Sequence, residues 1–244
     1  MIATICFDFG NTRLKAAVFI NDLLQEEIIL PDDNETTIQQ LLQKFKPAKS
    51  ILSSVVDHNP AVETLLAAST QFHKISQFTN INFTTPVGKP ETIGADRLAL
   101  MCAAAHFFPN KNSLVIGLGS CITYNFINQY HQFLGGSITP GMDMRFKSMH
   151  DYTAKLPIAS ADWNFPFIGY DTKTNLQSGV IIGITNEIEG FIGKYNEKFN
   201  NFNVVLTGGN SAYFASQLKY KIFADQHFLF KGLYALSEIN NCRA

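Results

Sequence analysis

Two apolar, β-branched runs of strand length, Ile2 to Phe7 and Arg13 to Ile20, are separated only by Asp8-Phe9-Gly10-Asn11-Thr12. So short a link predicts a hairpin whose loop approaches something closely. Gly10 lets the backbone come near a ligand, while Asn11 and Thr12 offer side-chain and main-chain donors of the kind phosphate oxygens accept. Asp8 would repel a phosphate, so a functional Asp8 acts through Mg²⁺ or a metal-bound water. An ordinary Asp-Gly turn has the same sequence, and both readings stay open. Lys15, three residues past Thr12, is either a phosphate contact or a solvated strand charge.

The rest of the chain alternates strand and helix patterns. Asp32 to Phe45 carries apolar residues at Ile38, Leu41, Leu42 and Phe45, the spacing of an amphipathic helix; Ser50 to Val56 reads as a buried strand, and Pro60 to Ala68 as a helix with proline near its start. This alternation predicts an α/β lobe. Leu114-Val115-Ile116 then runs into Gly117-Leu118-Gly119-Ser120, with Ile122 to Ile127 as a partner strand, a second version of the first hairpin. Gly135-Gly136 and Pro140-Gly141 bracket Ser137-Ile138-Thr139 in a run whose glycines permit tight backbone geometry, a plain turn being one reading, followed by a helix from Met142 to Tyr152. Gly179 to Phe199 has the pattern of a core helix, and Phe202 to Leu206 that of a buried strand ending at Thr207-Gly208-Gly209-Asn210. A Gly-Gly there lets backbone touch a nucleotide, although the dipeptide alone signals only a turn.

Thr92-Ile93-Gly94-Ala95-Asp96-Arg97 opens a further helical run, Leu98 to Phe108. Asp96 therefore sits in a first turn, where it is either a dipole-complementing cap or a catalytic base. A base is chemically apt: transfer of a phosphoryl group to an alcohol needs a carboxylate that orients the hydroxyl and takes its proton late. Arg97 beside it can fork onto a carboxylate or phosphate.

Composition narrows the partners. With 46% hydrophobic and 16% charged residues in 244, the chain suits a compact fold large enough for two lobes. A formal net charge of -1 gives no electrostatic reason to expect nucleic acid or an anionic membrane, so the ligand is expected to be small. No apolar run approaches the ~20 residues of a membrane span, and the start lacks a signal-peptide pattern, which predicts a cytoplasmic protein. The four cysteines are scattered, Cys6, Cys102 and Cys121 reading as buried small hydrophobes, and the six histidines show no metal-binding spacing.

Taken in order, Asp8 to Thr12, Gly94-Ala95-Asp96-Arg97, Gly135 to Gly141 and Thr207-Gly208-Gly209 resemble the type III pantothenate kinase family of the acetate and sugar kinase, Hsp70 and actin superfamily. The resemblance spans nearly the whole length. It implies an α/β, two-lobe actin-like (ribonuclease H-like) ATPase fold with mixed sheets flanked by helices, one lobe at 1–112 and the other at 113–244. It implies ATP bound with Mg²⁺ at Asp8, Phe9, Gly10, Asn11, Thr12, Arg13, Leu14 and Lys15 on one side and at Gly119, Ser120, Gly208 and Gly209 on the other. Asp96 would accept the proton of the pantothenate primary hydroxyl, with Gly94, Ala95, Arg97, Thr172 and position 87 shaping the substrate pocket. Thr172 reads equally as the N-cap of the helix that follows it. The family also implies a homodimer whose subunits both shape that pocket.

The chain departs from the family pattern at named positions. Val87 stands where the family usually has a tyrosine, Gly117 where it has the aspartate of a K⁺ or NH₄⁺ site, and Asn125 where it often has aspartate. Ser120 replaces a threonine but keeps the hydroxyl. These departures leave three readings: a pantothenate kinase with a weakened monovalent-cation requirement, a kinase for another primary alcohol, or a non-catalytic, ligand-binding regulatory or accessory descendant.

Overall fold

The computed structural model describes residues 2–86 and 88–241. β1 (Ala3–Phe9) and β2 (Leu14–Ile20) pair antiparallel from Ala3 opposite Ile20 to Phe9 opposite Leu14. Asp8 and Phe9 therefore belong to the strand, and the turn proper is Gly10 to Arg13, closed by the Gly10 N–H donating to the Arg13 carbonyl at 3.1 Å. β3 (Leu23–Leu30) extends the meander; after α1 (Glu35–Phe45) the chain returns as β4 (Lys49–Ser54), parallel to β1, and after α2 (Pro60–Ser69) as β5 (Gln71–Lys74). The sheet order is β3-β2-β1-β4-β5. Strand alternation sends Ile5, Phe7 and Phe9 into a core with Ile38 and Leu41 of α1 and Val62 and Leu66 of α2. The same period of two turns Cys6 and Asp8 to the opposite face.

A single 3₁₀ turn, Pro90–Thr92, leads to α3 (Ala95–Phe107). β6 (Asn112–Leu118) and β7 (Cys121–Ile127) are joined by Gly119 and Ser120 alone, and β8 (Phe133–Pro140) follows. After α4 (Met142–Asp151) and α5 (Thr172–Lys198) come β9 (Phe202–Gly208), α6 (Ser211–Gln217), β10 (Phe223–Ala224) and α7 (Phe228–Asn240), with β9 parallel to both β6 and β10. The order β10-β9-β6-β7-β8 repeats that of the first sheet: a three-strand meander, then two parallel strands reached through helices. Its core sets Ile116, Tyr124 and Leu206 against Ile181, Ile184 and Ile188 of α5.

The run Gly135 to Pro140, open to reading as a turn, is part of edge strand β8. Glycine is required there because a Cβ on Gly136 would lie 1.6 Å from the Tyr124 carbonyl oxygen.

The chain divides into two compact units, and they are not the two halves expected from a cut at 112/113. The first comprises the residues up to Asn110, Ile127–Gly135 and those from His227 onward; the second is Lys111–Phe126 with Gly136–Gln226. The hairpin tip joins the first unit because Thr84 bridges to Gln132 and the Thr85 hydroxyl donates to the Phe133 carbonyl at 3.1 Å. α7 joins it because it packs on α3, β1 and β4. A Cβ on Gly232 of α7 would sit 1.9 Å from the Ala99 carbonyl oxygen, so the two helices touch backbone to backbone. Among the described residues no helix is long and apolar enough to cross a membrane.

Candidate active site

Strand register assembles the first group of polar residues. Asp8 is directly opposite Lys15 on β2 and Ser53 on β4, so all three side chains share one face of the sheet. The Ser53 hydroxyl donates to Asp8 Oδ1 at 3.3 Å. Lys15 Nζ meets Glu27 of β3 at 2.6 Å, which makes it a paired, half-buried charge instead of a solvated one. The Asp8 carboxyl is pushed up to about 7, first because burial strips it of water and next because the negative Asp96 repels it; Ser53 and Lys15 oppose the rise.

Asp96 reaches this group from α3. Gly94 is the helix N-cap, with extended backbone and no capping side chain, and the Asp96 carboxylate is left to accept the Arg97 and Asp96 backbone N–H groups. A Cβ on Gly94 would come within 2.5 Å of Asp96 Oδ1, so glycine is what leaves the carboxylate its place. Burial raises the Asp96 carboxyl above its usual range, against the pull of those N–H groups and the Arg97 charge. The Arg97 guanidinium lies 5.5 Å from the centre of the Phe133 ring, which fixes its direction. Asp96 thus accepts helix N–H groups, as its helix-start reading expects, and its charge also bears on the Asp8 carboxyl.

Within the first turn, Asn11, Thr12 and Arg13 are exposed, whereas Phe9 is fully buried and Leu14 packs against the same core. Phe9 and Leu14 can therefore offer a ligand only backbone.

The second unit carries its own turn. The Gly119 N–H donates to the Cys121 carbonyl at 3.1 Å, and the Ser120 carbonyl accepts the Gly141 N–H at 3.0 Å. A Cβ on Gly141 would lie 2.3 Å from the Gly119 carbonyl oxygen, and one on Gly208, whose φ is +102°, 2.2 Å from that of Leu118. Gly141 and Gly208 thus brace this turn and the strand end before it. Gly209 has open space around its Cα, as close approach by a ligand requires.

Relatives decide what this arrangement belongs to. The family model described as type III pantothenate kinase matches residues 4–194. A curated relative from Christiangramia forsetii, named type III pantothenate kinase, is 39% identical over 97% of this chain and 98% of its own length. The chain belongs to the type III pantothenate kinase family. Solved structures agree on the fold at lower identity. A conserved Campylobacter jejuni protein assigned to the Baf family of transcriptional activators aligns with TM-score 0.61 at 21% identity, covering 97% of this chain and 98% of that one. A glucokinase from an Antarctic psychrotroph aligns with TM-score 0.51 at 10% identity, covering 98% and 99%. The fold is the actin-like α/β architecture of sugar kinases, with two mixed sheets flanked by helices.

Measured against the type III family pattern, the departures take physical form. Gly117 lies opposite Thr207 in the parallel pair β6–β9, and the buried Thr207 hydroxyl has no hydrogen-bond partner among the described residues. Asn125 is buried and donates to the Val115 carbonyl at 3.3 Å and the Thr123 hydroxyl at 3.0 Å, a role a carboxylate could not fill. Val87 lies outside the described residues. Thr172 is exposed at the first position of α5 and is not its cap: Asp171 is, receiving the Thr174 N–H at 2.8 Å in a reciprocal capping box. Ser53 and Glu27 were not singled out by sequence, because only strand register brings them to Asp8 and Lys15.

Proposed function

We propose that this type III pantothenate kinase transfers the γ-phosphate of ATP to the primary hydroxyl of pantothenate, giving 4'-phosphopantothenate, the entry step of coenzyme A synthesis. The observation that carries this reading is the meeting of Asp8 and Asp96. A carboxylate held up by burial and by the charge of a second, which burial raises in its turn, marks a site prepared for a cation and a proton.

Asp8 fits a divalent cation: it is desolvated, repelled by a second anion and backed by a single hydroxyl. Among the described residues no cluster of three or more His, Cys, Asp or Glu side chains is gathered for a metal, so Mg²⁺ held at Asp8, directly or through water, would take its other ligands from phosphate and solvent. Such an ion supplies the positive charge that lets phosphate oxygens and a carboxylate share one site. In the first unit the Gly10–Thr12 turn offers N–H groups and hydroxyls to nucleotide phosphates; in the second, the Gly119–Ser120 turn and the backbone at Gly208 and Gly209 offer the same chemistry.

Asp96 orients the pantothenate hydroxyl and receives its proton on a carboxylate oxygen, and its raised affinity for a proton suits that task. Arg97, steered by Phe133, engages the anionic end of the acceptor, and Thr172 adds a hydroxyl. Without a carboxylate at Gly117 the reaction runs with little dependence on K⁺ or NH₄⁺. The enzyme works in the cytoplasm as a homodimer, for which Tyr152, Phe167, Ile168 and Tyr170, all largely exposed, supply apolar surface. Retention of both Asp8 and Asp96 argues against a non-catalytic descendant.

A coupled assay with pantothenate, ATP and Mg²⁺, with and without K⁺ or NH₄⁺, tests the proposal. Formation of phosphopantothenate is expected under both conditions. Tight binding of both ligands with no product would overturn it, and turnover only with a different primary alcohol would reassign the acceptor.

A further inference from the structure

Glu187 lies midway along α5, outside every motif, yet its carboxylate takes partners from three other elements. Oε1 accepts the Tyr124 hydroxyl of β7 at 2.9 Å and the Thr139 hydroxyl of β8 at 2.7 Å, and Oε2 accepts Arg145 of α4 at 2.6 Å. Burial works against the charged form, but the bonds from Thr139, Arg145 and Tyr124 outweigh it and hold the Glu187 carboxyl below its usual range. The Tyr124 ring is itself fixed, stacked 3.8 Å from Phe191.

From Glu187 an unbroken line of contacts runs to the second turn. Arg145 Nε donates to the Pro140 carbonyl at 2.8 Å; the next residue, Gly141, gives its N–H to the Ser120 carbonyl at 3.0 Å and has no room for a side chain against Gly119. A half-buried ion pair is a weak source of stability, and its better-attested use is to select one geometry. Here the selected geometry is that of Pro140–Gly141, and through it of Gly119–Ser120.

We propose that Glu187 is a positioning residue for the nucleotide: through Arg145 and the Pro140–Gly141 peptide it fixes the Gly119–Ser120 turn in the conformation that receives phosphate. This rests on the reading of that turn as phosphate-binding given above.

The test uses Glu187→Gln in the full chain, with the dissociation constant of a fluorescent ATP analogue plus Mg²⁺, the separate KM values for ATP and pantothenate, and the melting temperature all measured. The ATP KM and the analogue constant are expected to rise about tenfold, while the pantothenate KM stays within about twofold. Should the variant fail to fold, Tyr124→Phe and Thr139→Val each remove one bond to the same carboxylate and should shift nucleotide affinity in the same direction by less. A lowered melting temperature with unchanged nucleotide affinity would overturn the inference, leaving Glu187 a packing residue. Ser120→Asp separates this failure from that of the underlying reading. If a carboxylate at Ser120 also leaves nucleotide binding unchanged, the phosphates do not bind at this turn. If it abolishes binding while Glu187→Gln and both milder variants do not, only the positioning role falls.

Discussion

The negative charge of Asp96 at the start of α3 bears on the Asp8 carboxyl at the end of β1, although the two elements are separated in the chain by four strands and two helices. Asp8 therefore cannot be described alone, because the charge on Asp96 helps set its affinity for a proton.

Activity should rise with pH through neutrality. Asp8 must be ionised to hold a cation and Asp96 to accept a proton, and the Asp8 carboxyl is raised to about 7 with Asp96 raised as well. A profile of kcat/KM at subsaturating Mg²⁺, where protons and the ion compete for Asp8, should show an acid limb well above the ~4 of an ordinary carboxylate. A profile flat down to pH ~5 would show that the Asp8 carboxyl is not raised as described.

Stability should run the other way. The folded Asp8 carboxyl titrates near 7 and an unfolded one near ~3.9, so between those values the folded chain holds the extra proton. The stability tied to that proton is fully present below the unfolded value and is lost as pH rises through the folded one. Asp8→Asn does not titrate, so its melting temperature, measured without Mg²⁺, should match wild type at pH ~4 and exceed it increasingly up to pH ~7, then hold a constant margin. A margin independent of pH would contradict the raised carboxyl.

Asp96→Asn keeps the shape and removes the proton acceptor. The kcat should fall about 10²–10⁴-fold, the range of general-base contributions, with little change in the KM for ATP. Steady-state rates within about threefold of wild type would show that Asp96 is not the base.

Gly94→Ala probes the same carboxylate from its neighbour. The added methyl would meet Asp96 Oδ1 at 2.5 Å, the mobile end of a side chain, so Asp96 yields and the helix does not. The expected outcome is a kcat lowered at least about tenfold, because small misplacements of reacting groups are costly, with a melting temperature nearly unchanged. Loss of stability with normal turnover would place the constraint in the backbone.

What could be read from the chain is what local sequence controls. The β-branched runs around Asp8 and the 3.6-residue spacing of Ile38, Leu41, Leu42 and Phe45 specify their elements wherever they pack. Asp96 was legible as a charged residue at a helix start, whereas Asp8, read as the first residue of a turn, lies inside β1 because its pairing with Lys15 runs on to Phe9 and Leu14. Edge strand β8 was not, since Gly135 and Gly136 carry no side chains to show alternation and the close crossing of Gly136 over Tyr124 exists only once β7 is in place. Nor was the return of α7 to the first unit, which depends on Gly232 meeting Ala99, or the gathering of Tyr124, Thr139 and Arg145 on Glu187. Each of these is a long-range contact with no local signature.

Asp171 takes the capping role that sequence alone offered to Thr172, which leaves the proposed pantothenate contact as the other reading of Thr172. Asp171 caps α5 through the Thr174 N–H, and Thr172 stands exposed beside it with its hydroxyl outside the capping box. Asp171→Ala should therefore lower the melting temperature, as loss of a helix cap does, and leave the pantothenate KM near wild type. Thr172→Val removes one hydroxyl at constant shape; it should leave the melting temperature alone and raise the pantothenate KM roughly three- to tenfold, the worth of one hydrogen bond to substrate. Paired melting curves and pantothenate titrations of the two variants check this. An unchanged KM for Thr172→Val would remove Thr172 from the acceptor site, and a raised KM for Asp171→Ala would mean that the start of α5 acts on the substrate as a whole.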